Sequence, residues 1–127
     1  MNLKYIKDYW NNSAKKSKIS SEISQTSRDP FLADLERSFV ISCLKKNYHC
    51  LEIGCGDAIN TFHYIKNVKS ILAIDNSENL LKIDNKKLKL KNKKNLTFQN
   101  LSAIEIPKTF INKFNCVISQ RCIINLS

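Results

Sequence analysis

The stretch HCLEIGCGDA, residues 49–58, decides the fold of this 127-residue chain. Its first half can form a buried strand, which is interrupted only by Glu52. Gly54 and Gly56 follow at once, and they are the only 2 glycines in the sequence. Glycine tolerates a positive φ, and its missing side chain lets a ligand lie against the backbone. A strand that turns through such a loop into a helix is the first half of a βαβ unit. A purely structural turn is the alternative, but it would usually need one glycine rather than two that flank a single residue.

The composition is that of one small globular domain, or of part of a larger one, because domains cluster near ~100–150 residues. The longest apolar runs span only a few residues, so we expect no transmembrane helix. The amino end lacks the continuous apolar core of a signal peptide. Five cysteines without an export signal indicate a reduced, cytoplasmic compartment. Their spacings contain no C-x-x-C pair, so we predict no metal site.

The formal net charge of +10 comes from 21 Lys plus Arg against 11 Asp plus Glu. A basic balance can indicate a nucleic acid or another anionic partner. Nearly all of this charge is lysine, and no aromatic side chain interleaves with the densest block, residues 82–94. We interpret that block as the solvated face of a helix, and we do not expect nucleic acid as a partner.

The first 28 residues form a polar, serine-rich arm with aromatic side chains near its start. Tyr5 and Tyr9 are spaced for one face of a helix, which predicts a loosely docked first helix. The alternative is that Tyr5, Tyr9 and Trp10 only anchor a flexible arm. The domain proper is predicted to span residues 29–127.

A clearer helix begins that domain. Asp29 suits its N-cap, and Pro30 suits its first position, where the missing N–H costs nothing. Apolar residues then recur at the three- and four-residue spacing that predicts a core-facing side: Leu32, Leu35, Phe39, Cys43 and Leu44.

Strands and helices alternate after the glycine loop. We predict strands at 49–53, 70–75, 95–100 and 116–119, a helix at 60–66, another capped by Ser77, and the start of a further helix at 122–126. In the helix after Ser77 the predicted inward residues are Leu80, Leu81, Asp84 and Leu88. Such alternation predicts an α/β fold with a parallel sheet and helices on both faces.

Ligands of such sheets bind outside the carboxyl ends of the strands, where Gly54, Gly56, Asp75, Ser102 and Ser119 all fall. Asp75 ends the second strand about twenty positions after the glycine loop. A carboxylate at this place can accept hydrogen bonds from both hydroxyls of an adenosine ribose. The alternative is an aspartate that only caps a turn, because the following residues also suit one.

The ligand is predicted to be a cationic adenosine derivative rather than a dinucleotide. The dinucleotide fingerprint has a third glycine, and Ile59 occupies that position, which disfavours tight packing against a pyrophosphate. Glu52 also places a negative charge beside the loop, which repels an anionic cofactor and favours a cationic one.

The segments LEIGCG, residues 51–56, and AID, residues 73–75, resemble the class I S-adenosylmethionine-dependent methyltransferases. Glu52, Gly54 and Gly56 match the acidic residue and the alternating glycines of that family's first motif, while Ala58 replaces its usual third glycine. Residues 75–81 resemble the second motif, which implies that Asp75 binds the ribose and that Asn76 lies beside the adenine.

The resemblance covers roughly residues 27–126 and includes departures. Ser102 stands where the family often has an aspartate near the adenine amino group, and Asn115 replaces the aspartate of the fourth motif. Residues 27–30, SRDP, resemble a lead-in that covers the cofactor in some members. The implied cofactor is S-adenosylmethionine, and the full set predicted to bind it is Glu52, Gly54, Cys55, Gly56, Asp75, Asn76, Ser102 and Ser119.

The activity implied by the resemblance is methyl transfer to an acceptor that the sequence does not identify. The protein's task in this reaction is to hold and align the activated cofactor. No side chain is clearly placed as a general base, and His49 and His63 suit packing or surface positions better. Gln120 and Arg121 follow the fourth strand, and the hypothesis is that they face a substrate.

The family's Rossmann-like sheet has seven strands, and only four can be found here, in the implied order 3-2-1-4. We therefore expect an incomplete domain that does not complete a catalytic cycle alone. Its fourth strand would form an exposed apolar edge through which chains self-associate. Two other functions stay open: a nicotinamide-dependent oxidoreductase fragment, and a non-catalytic adenosine-binding or interaction module.

Overall fold

A computed structural model describes residues 3–16 and 29–126. Its four strands are β1 (His49–Ile53), β2 (Ser70–Asp75), β3 (Leu96–Asn100) and β4 (Cys116–Ser119). All pairings are parallel, and the strands lie in the order β3-β2-β1-β4. Helices α1 (Leu3–Ser13), α2 (Pro30–Cys43), α3 (Ile59–Tyr64) and α4 (Glu78–Lys91) flank this sheet. The predicted α/β class and strand order are confirmed, as an incomplete Rossmann-like fold.

Short 3₁₀ turns complete the described structure, at Ala14–Lys16, Ile65–Asn67, Lys108–Phe110 and Ile123–Asn125. The predicted helix at 122–126 is therefore wrong in type, because only a single 3₁₀ turn forms there. The predicted helix at 60–66 is observed one residue earlier, as α3 followed by the second of these turns.

The hydrophobic core lies between the sheet and the helices α3 and α4. The strands contribute Cys50, Ile71, Ala73, Leu96 and Ile118, and the helices contribute Phe62, Tyr64 and Leu81. Both crossovers run in the same direction along the sheet, so their right-handedness places α3 and α4 on one face. The β3–β4 connection returns across the other face.

A shallow groove of about 400 Å³ remains on that other face, between β1, β4 and the 3₁₀ turn Lys108–Phe110. Its apolar walls include Leu51, Ile53, Phe114 and Val117. Val117 is 58% exposed, because β4 has no neighbour on its outer side among the described residues.

Helix α2 begins as predicted but turns a different side toward the core. The Asp29 carboxylate accepts hydrogen bonds from the backbone N–H groups of Phe31 (3.0 Å) and Leu32 (3.1 Å). The helix carries apolar residues on two sides, so spacing alone could not select between them. Of the predicted inward set, these four are exposed: Leu32, Leu35, Phe39 and Cys43. Leu44 packs on the core as predicted, together with Val40 and Ile41.

The first helix is present and docks through polar contacts. The Asn11 Oδ1 atom accepts a hydrogen bond from the Ser77 hydroxyl (2.8 Å), and Lys7 pairs with Glu78 (3.2 Å). Tyr5 is 70% exposed, which agrees with loose docking of this helix. Residues 1–2 and 17–28 lie outside the described part, and so does half of the lead-in predicted at 27–30. The domain boundary at residue 28 stays a prediction.

Candidate functional site

The glycine loop after β1 is tied to the end of β2. The backbone N–H groups of Gly54 and Cys55 donate to the Ile74 carbonyl at 2.8 and 3.1 Å. Gly54 and Gly56 both have a positive φ, of 75° and 59°. A Cβ atom built on Gly54 would lie 2.6 Å from both Cβ and Sγ of Cys122. Glycine is required here because the segment after β4 packs directly on the loop.

Ala58 also occupies the left-handed region, with φ 56°, as the N-cap of α3. Its side chain is completely buried, so the methyl group fills space that a glycine would leave empty. The left-handed conformation costs a non-glycine residue roughly 1–2 kcal/mol. The third position of the predicted motif therefore keeps the glycine-type backbone although it is an alanine.

Asp75 connects the glycine loop to the turn that starts α4. Its Oδ2 atom accepts a hydrogen bond from the Gly56 N–H (2.9 Å), and its Oδ1 atom accepts one from the Ser77 N–H (2.8 Å). Burial raises the pKa of this carboxyl, and hydrogen bonds from the backbone N–H groups of Ser77, Gly56 and Asn76 oppose that rise. A carboxylate has about four acceptor positions, so acceptor capacity remains for a ligand. The turn role of Asp75 is observed, and it leaves room for the predicted ribose contact.

A cavity of about 680 Å³ lies at the carboxyl ends of the strands. The predicted residues that line it are Glu52, Gly54, Cys55, Gly56, Asp75, Asn76 and Ser102. Ser119 does not line it: this residue is exposed on β4 and lies in register with Ile53. Its two successors, Gln120 and Arg121, line the cavity instead.

Helix α1 contributes cavity residues that the sequence interpretation did not include in the site. Ile6, Tyr9 and Trp10 line the cavity. The rings of Tyr9 and Trp10 meet edge to face, with centroids 5.1 Å apart. The available signal was the aromatic cluster in an otherwise polar arm, but its position over the site depends on tertiary docking.

Gln120 and Arg121 belong to a polar network that spans the cavity wall. The Gln120 Oε1 atom accepts hydrogen bonds from the Asn60 amide (2.9 Å) and the Tyr64 hydroxyl (2.8 Å). Glu36 accepts from the Gln120 amide (2.7 Å) and pairs with Arg121 (3.0 Å). Burial raises the pKa of Glu36, but the hydrogen bonds from Arg121 and Gln120 and the charge of Arg121 together lower it by more than that. The pKa of Glu36 is therefore below its usual range. Gln120 and Arg121, which were predicted to face a substrate, thus line the cavity, but their side chains already bond to other residues of the chain.

Buried carboxyl groups lie beneath the cavity. Glu52 is 4% exposed and Asp84 is completely buried. Within the described chain, Glu52 Oε2 and both carboxyl oxygens of Asp84 have no hydrogen-bond partner. Burial, reinforced by the charge of Asp75, raises the pKa of Glu52 to about 8. Burial raises the pKa of Asp84 to about 9, although Lys87 opposes the rise.

Lys87 corrects the interpretation of residues 82–94 as a wholly solvated face. Its side chain is 4% exposed, and its Nζ atom donates to the Asp57 carbonyl at 2.9 Å. This hydrogen bond ties α4 to the glycine loop one residue before the left-handed Ala58. The lysine block therefore contains one residue that supports the cavity from below.

Replacing Lys87 with methionine is expected to lower the free energy of unfolding by about 1–3 kcal/mol, because the buried Asp57 carbonyl loses its charged donor. Lys86→Met is the matched control, since Lys86 is exposed on the same helix. Urea unfolding of both variants measures the difference. Equal free energies of unfolding for the two variants would show that this hydrogen bond contributes nothing to stability.

Glu52 is expected to make stability fall as the pH rises from about 5 to 8. Its pKa is about 8 in the folded protein and near 4.5 when unfolded, so the folded state holds the extra proton between these values. The free energy of unfolding then decreases by up to about 1.4 kcal/mol per pH unit for this group. Glu52→Gln should flatten that part of the profile, whereas the exposed control Glu105→Gln should not. Parallel profiles for all three proteins would contradict this prediction.

In the part of the chain that the structure describes, no three His, Cys, Asp or Glu side chains are grouped so that they could hold a metal ion. Among residues 3–16 and 29–126, no helix has the length and the apolar character that a membrane crossing requires.

The parallel sheet, the glycine loop and the acidic residue at the end of β2 define an α/β domain of the Rossmann-like class. The chain belongs to the methyltransferase domain family, whose model matches residues 44–127. None of the curated proteins matches the chain significantly at the level of sequence.

Three similar solved structures share the fold. Phosphoethanolamine N-methyltransferase 1 of Haemonchus contortus, in complex with phosphoethanolamine and S-adenosylhomocysteine, is 18% identical with a TM-score of 0.62, over 81% of this chain and 22% of that one. A dimethyladenosine transferase of Plasmodium falciparum is 22% identical with a TM-score of 0.58, over 72% and 32%. A putative methyltransferase of Streptococcus mutans, in complex with S-adenosylhomocysteine, is 24% identical with a TM-score of 0.52, over 60% and 42%. The chain thus spans less than half the length of each of these proteins.

Proposed function

We propose that this chain binds S-adenosylmethionine and forms the cofactor-binding part of a methyltransferase. The observation that carries the proposal is the unpartnered, buried carboxyl oxygen of Glu52 in the wall of the cavity. Such an oxygen suits a positively charged ligand, and S-adenosylmethionine carries a cationic sulfur. The positive-φ glycines and the free acceptor positions of Asp75 fit the remaining parts of this cofactor.

The proposed roles follow the order of the residues along the cavity. Asp75 accepts hydrogen bonds from the ribose hydroxyls, while Asn76 and Ser102 flank the adenine. The backbone of Gly54, Cys55 and Gly56 borders the cofactor on the side of Glu52. Ser119 was predicted to join this set, and its position outside the cavity lining gives that role no support.

When bound, S-adenosylmethionine supplies a methyl group that is already activated for displacement. The residues of this chain then need only to hold the cofactor, to orient it and to limit access of water. Among the described residues, none is clearly placed as a general base, and the methyl acceptor stays unidentified. All 5 cysteines are free thiols, which agrees with the proposed cytoplasmic location.

A thermal-shift comparison tests the proposal. S-adenosylmethionine or S-adenosylhomocysteine at about 100 times Kd should stabilise the chain by about 2.7 kcal/mol, which raises Tm by several degrees. NAD at the same concentration is expected to leave Tm unchanged. Stabilisation by NAD alone would favour the oxidoreductase alternative instead.

The open edge of β4 and the apolar groove beside it favour a second candidate, a cofactor-binding module that associates through this edge. An unpaired strand presents N–H and C=O groups that another chain can bind, and a lysine on the strand blocks such pairing. Self-association is therefore expected to increase with concentration in the native chain and to decrease in Val117→Lys. Ile104→Lys is the control, because Ile104 is also exposed but lies away from β4. Light-scattering masses that stay monomeric for the native chain would contradict the expectation.

A further inference from the structure

Lysines precede every strand of the sheet. Each of the four strands has at least one exposed lysine among the few residues that lead into it. These side chains form a surface at the amino ends of the strands, opposite the cavity, which we call the basic face. Its members are Lys45, Lys46, Lys66, Lys69, Lys94 and Lys113.

Hydrogen bonds hold the segments that carry these lysines side by side. The backbone N–H of Asn115, before β4, donates to the His49 carbonyl at 2.8 Å. The Lys69 N–H donates to the Tyr48 carbonyl at 2.8 Å, and the Asn95 amide donates to the Lys69 carbonyl at 3.0 Å. Four neighbouring strands span about 14 Å, since adjacent strands lie ~4.8 Å apart. The basic face is therefore a row of charges on a fixed scaffold.

No acidic residue accompanies these lysines in the sequence. The segments that lead into the strands, residues 37–51, 58–74, 85–104 and 106–126, contain neither Asp nor Glu. In the described part of the chain, none of the six lysines pairs with a carboxylate. The dipole of α2 favours Lys45 and Lys46 at its carboxyl end, but Lys69 and Lys113 lie outside any helix. Clustered like charges repel one another, so the arrangement does not serve the stability of the domain.

The acidic residues lie at the other end of the strands. Of the 11 acidic residues, all but Glu22 belong to the described part. Six of them line the cavity, together with two arginines and no lysine. The others are Asp8 on α1, Glu78 at the start of α4, Asp84 beneath the cavity and Glu105 in the loop after β3. The charge of the domain is thus divided along the strand direction, with carboxyl groups around the cavity and lysines at the opposite end.

We propose that the basic face binds the phosphate backbone of a nucleic acid and so docks the domain with its cavity turned away. A row of about 14 Å spans roughly four phosphates of one duplex strand, whose charges follow at 3.4 Å along the axis. Lysines bind phosphates as point charges and read no base, so this binding is independent of sequence. The carboxyl groups of the cavity repel phosphates, which makes the nucleic acid a docking partner and not a ligand of the cavity.

The basic face suits a nucleic acid better than a lipid surface. Binding to a membrane surface combines basic side chains with exposed apolar ones that insert between the lipids. The apolar residues beside these lysines are instead buried or half-buried: Leu44, Tyr48, Ile65, Val68 and Phe114. The composition argued against nucleic acid because residues 82–94 were considered as one block. The fold adds lysines from connections that are far apart in the sequence.

Fluorescence anisotropy of the full chain with a short labelled DNA duplex, and with single-stranded RNA, tests the proposal. The face variant removes one charge before each strand: Lys45→Gln, Lys69→Gln, Lys94→Gln and Lys113→Gln. The matched control removes the same number of charges from exposed lysines elsewhere: Lys4→Gln, Lys15→Gln, Lys82→Gln and Lys108→Gln. Circular dichroism establishes that both variants are folded.

The native chain should bind both probes, and its affinity should fall as salt rises from about 50 to 200 mM. In the face variant, the slope of log K against log salt for the duplex should decrease by about 3–4, because each lost phosphate contact contributes about 0.9. Its affinity at about 100 mM salt should decrease at least about tenfold. The control variant should keep the native slope to within about one.

A measurement on the native chain needs no variant. Acetylation by an N-hydroxysuccinimide ester, followed by mass spectrometry, reports which lysines the duplex protects. Protection is expected at the basic face and not at Lys4, Lys15, Lys82 or Lys108. Equal protection of both groups would overturn the proposal, and so would equal loss of affinity in the two variants, since net charge alone would then explain the binding.

Other outcomes would also overturn it. These are absence of binding to either probe at about 50 mM salt, and tighter binding to phosphatidylserine vesicles than to nucleic acid. The inference does not depend on the proposed function, because the cavity lies at the other end of the sheet. Saturating S-adenosylhomocysteine should leave the affinity for the duplex unchanged. A chain that binds the duplex without binding the cofactor would defeat the proposed function alone.

Discussion

Gly54→Ala is expected to lower the free energy of unfolding by about 2–5 kcal/mol. The φ of 75° places an alanine in the left-handed region, which costs roughly 1–2 kcal/mol. Its Cβ would also lie 2.6 Å from two side-chain atoms of Cys122, and such overpacking costs about 1–3 kcal/mol. The sum is a large part of the ~5–15 kcal/mol that stabilises an ordinary domain. Urea unfolding followed by circular dichroism measures the loss.

A double-mutant cycle separates the two causes. Cys122→Gly removes both atoms that the new Cβ would contact, so in the Gly54→Ala background it should recover the overpacking part and leave the backbone part. The single variant Cys122→Gly serves as the reference. A Gly54→Ala protein within about 0.5 kcal/mol of the native chain would contradict both the backbone geometry and the packing of the segment after β4.

Asp75→Asn is expected to weaken binding of S-adenosylhomocysteine about 100-fold, or about 2.7 kcal/mol. The amide has the shape of the carboxylate but lacks its charge and replaces one acceptor oxygen by a donor. Hydrogen bonds to charged groups contribute about 1.5–3 kcal/mol each, so losing the charged ribose contacts has this magnitude. The fluorescence of Trp10, the only tryptophan and a cavity residue, provides the titration signal.

Glu78→Gln is the matched control for this variant. It makes the same change of charge three residues further along, on a side chain that is 55% exposed and pairs with Lys7. Its affinity for S-adenosylhomocysteine should equal that of the native chain. If Asp75→Asn binds as tightly as the control, Asp75 has only the turn role that its two backbone hydrogen bonds define.

The sheet and the centre of the site could be predicted from the sequence because their signals are local. The strands are short apolar runs separated by helix-compatible segments, which predicts parallel pairing. The 2 glycines occur in one loop, and Asp75 follows them at the spacing of a nucleoside site. These features depend on neighbours in the chain and not on how distant elements pack.

The predictions of burial were wrong for residues whose burial depends on tertiary packing. Helix α2 has apolar residues on two sides. Val40 and Ile41 pack against the core, whereas Leu35 and Phe39 are exposed. Lys87 looks like its lysine neighbours in sequence, yet its position on α4 places it beneath the glycine loop. No local pattern distinguishes such residues, because their burial is decided by elements far away in the chain.

Local sequence patterns also could not predict which residues lie at the edge of the site. The end of β4 was predicted to contribute Ser119, but the alternation of side chains along a strand turns that residue away from the cavity. The next two residues reach it because the chain leaves the strand there, and Arg121 adopts a φ of 55°. Helix α1 is docked beside the cavity by Asn11, whose hydrogen bond with Ser77 has no signature in sequence spacing.

The central claim is that the loop after β1 and the carboxylate at the end of β2 together bind S-adenosylmethionine. Calorimetric titration of the folded chain with S-adenosylhomocysteine, alongside NAD as comparator, tests it most directly. We predict saturable heat at one site for the first ligand and none for the second. A folded chain that gives no heat with S-adenosylhomocysteine, or that binds NAD more tightly, would contradict the claim.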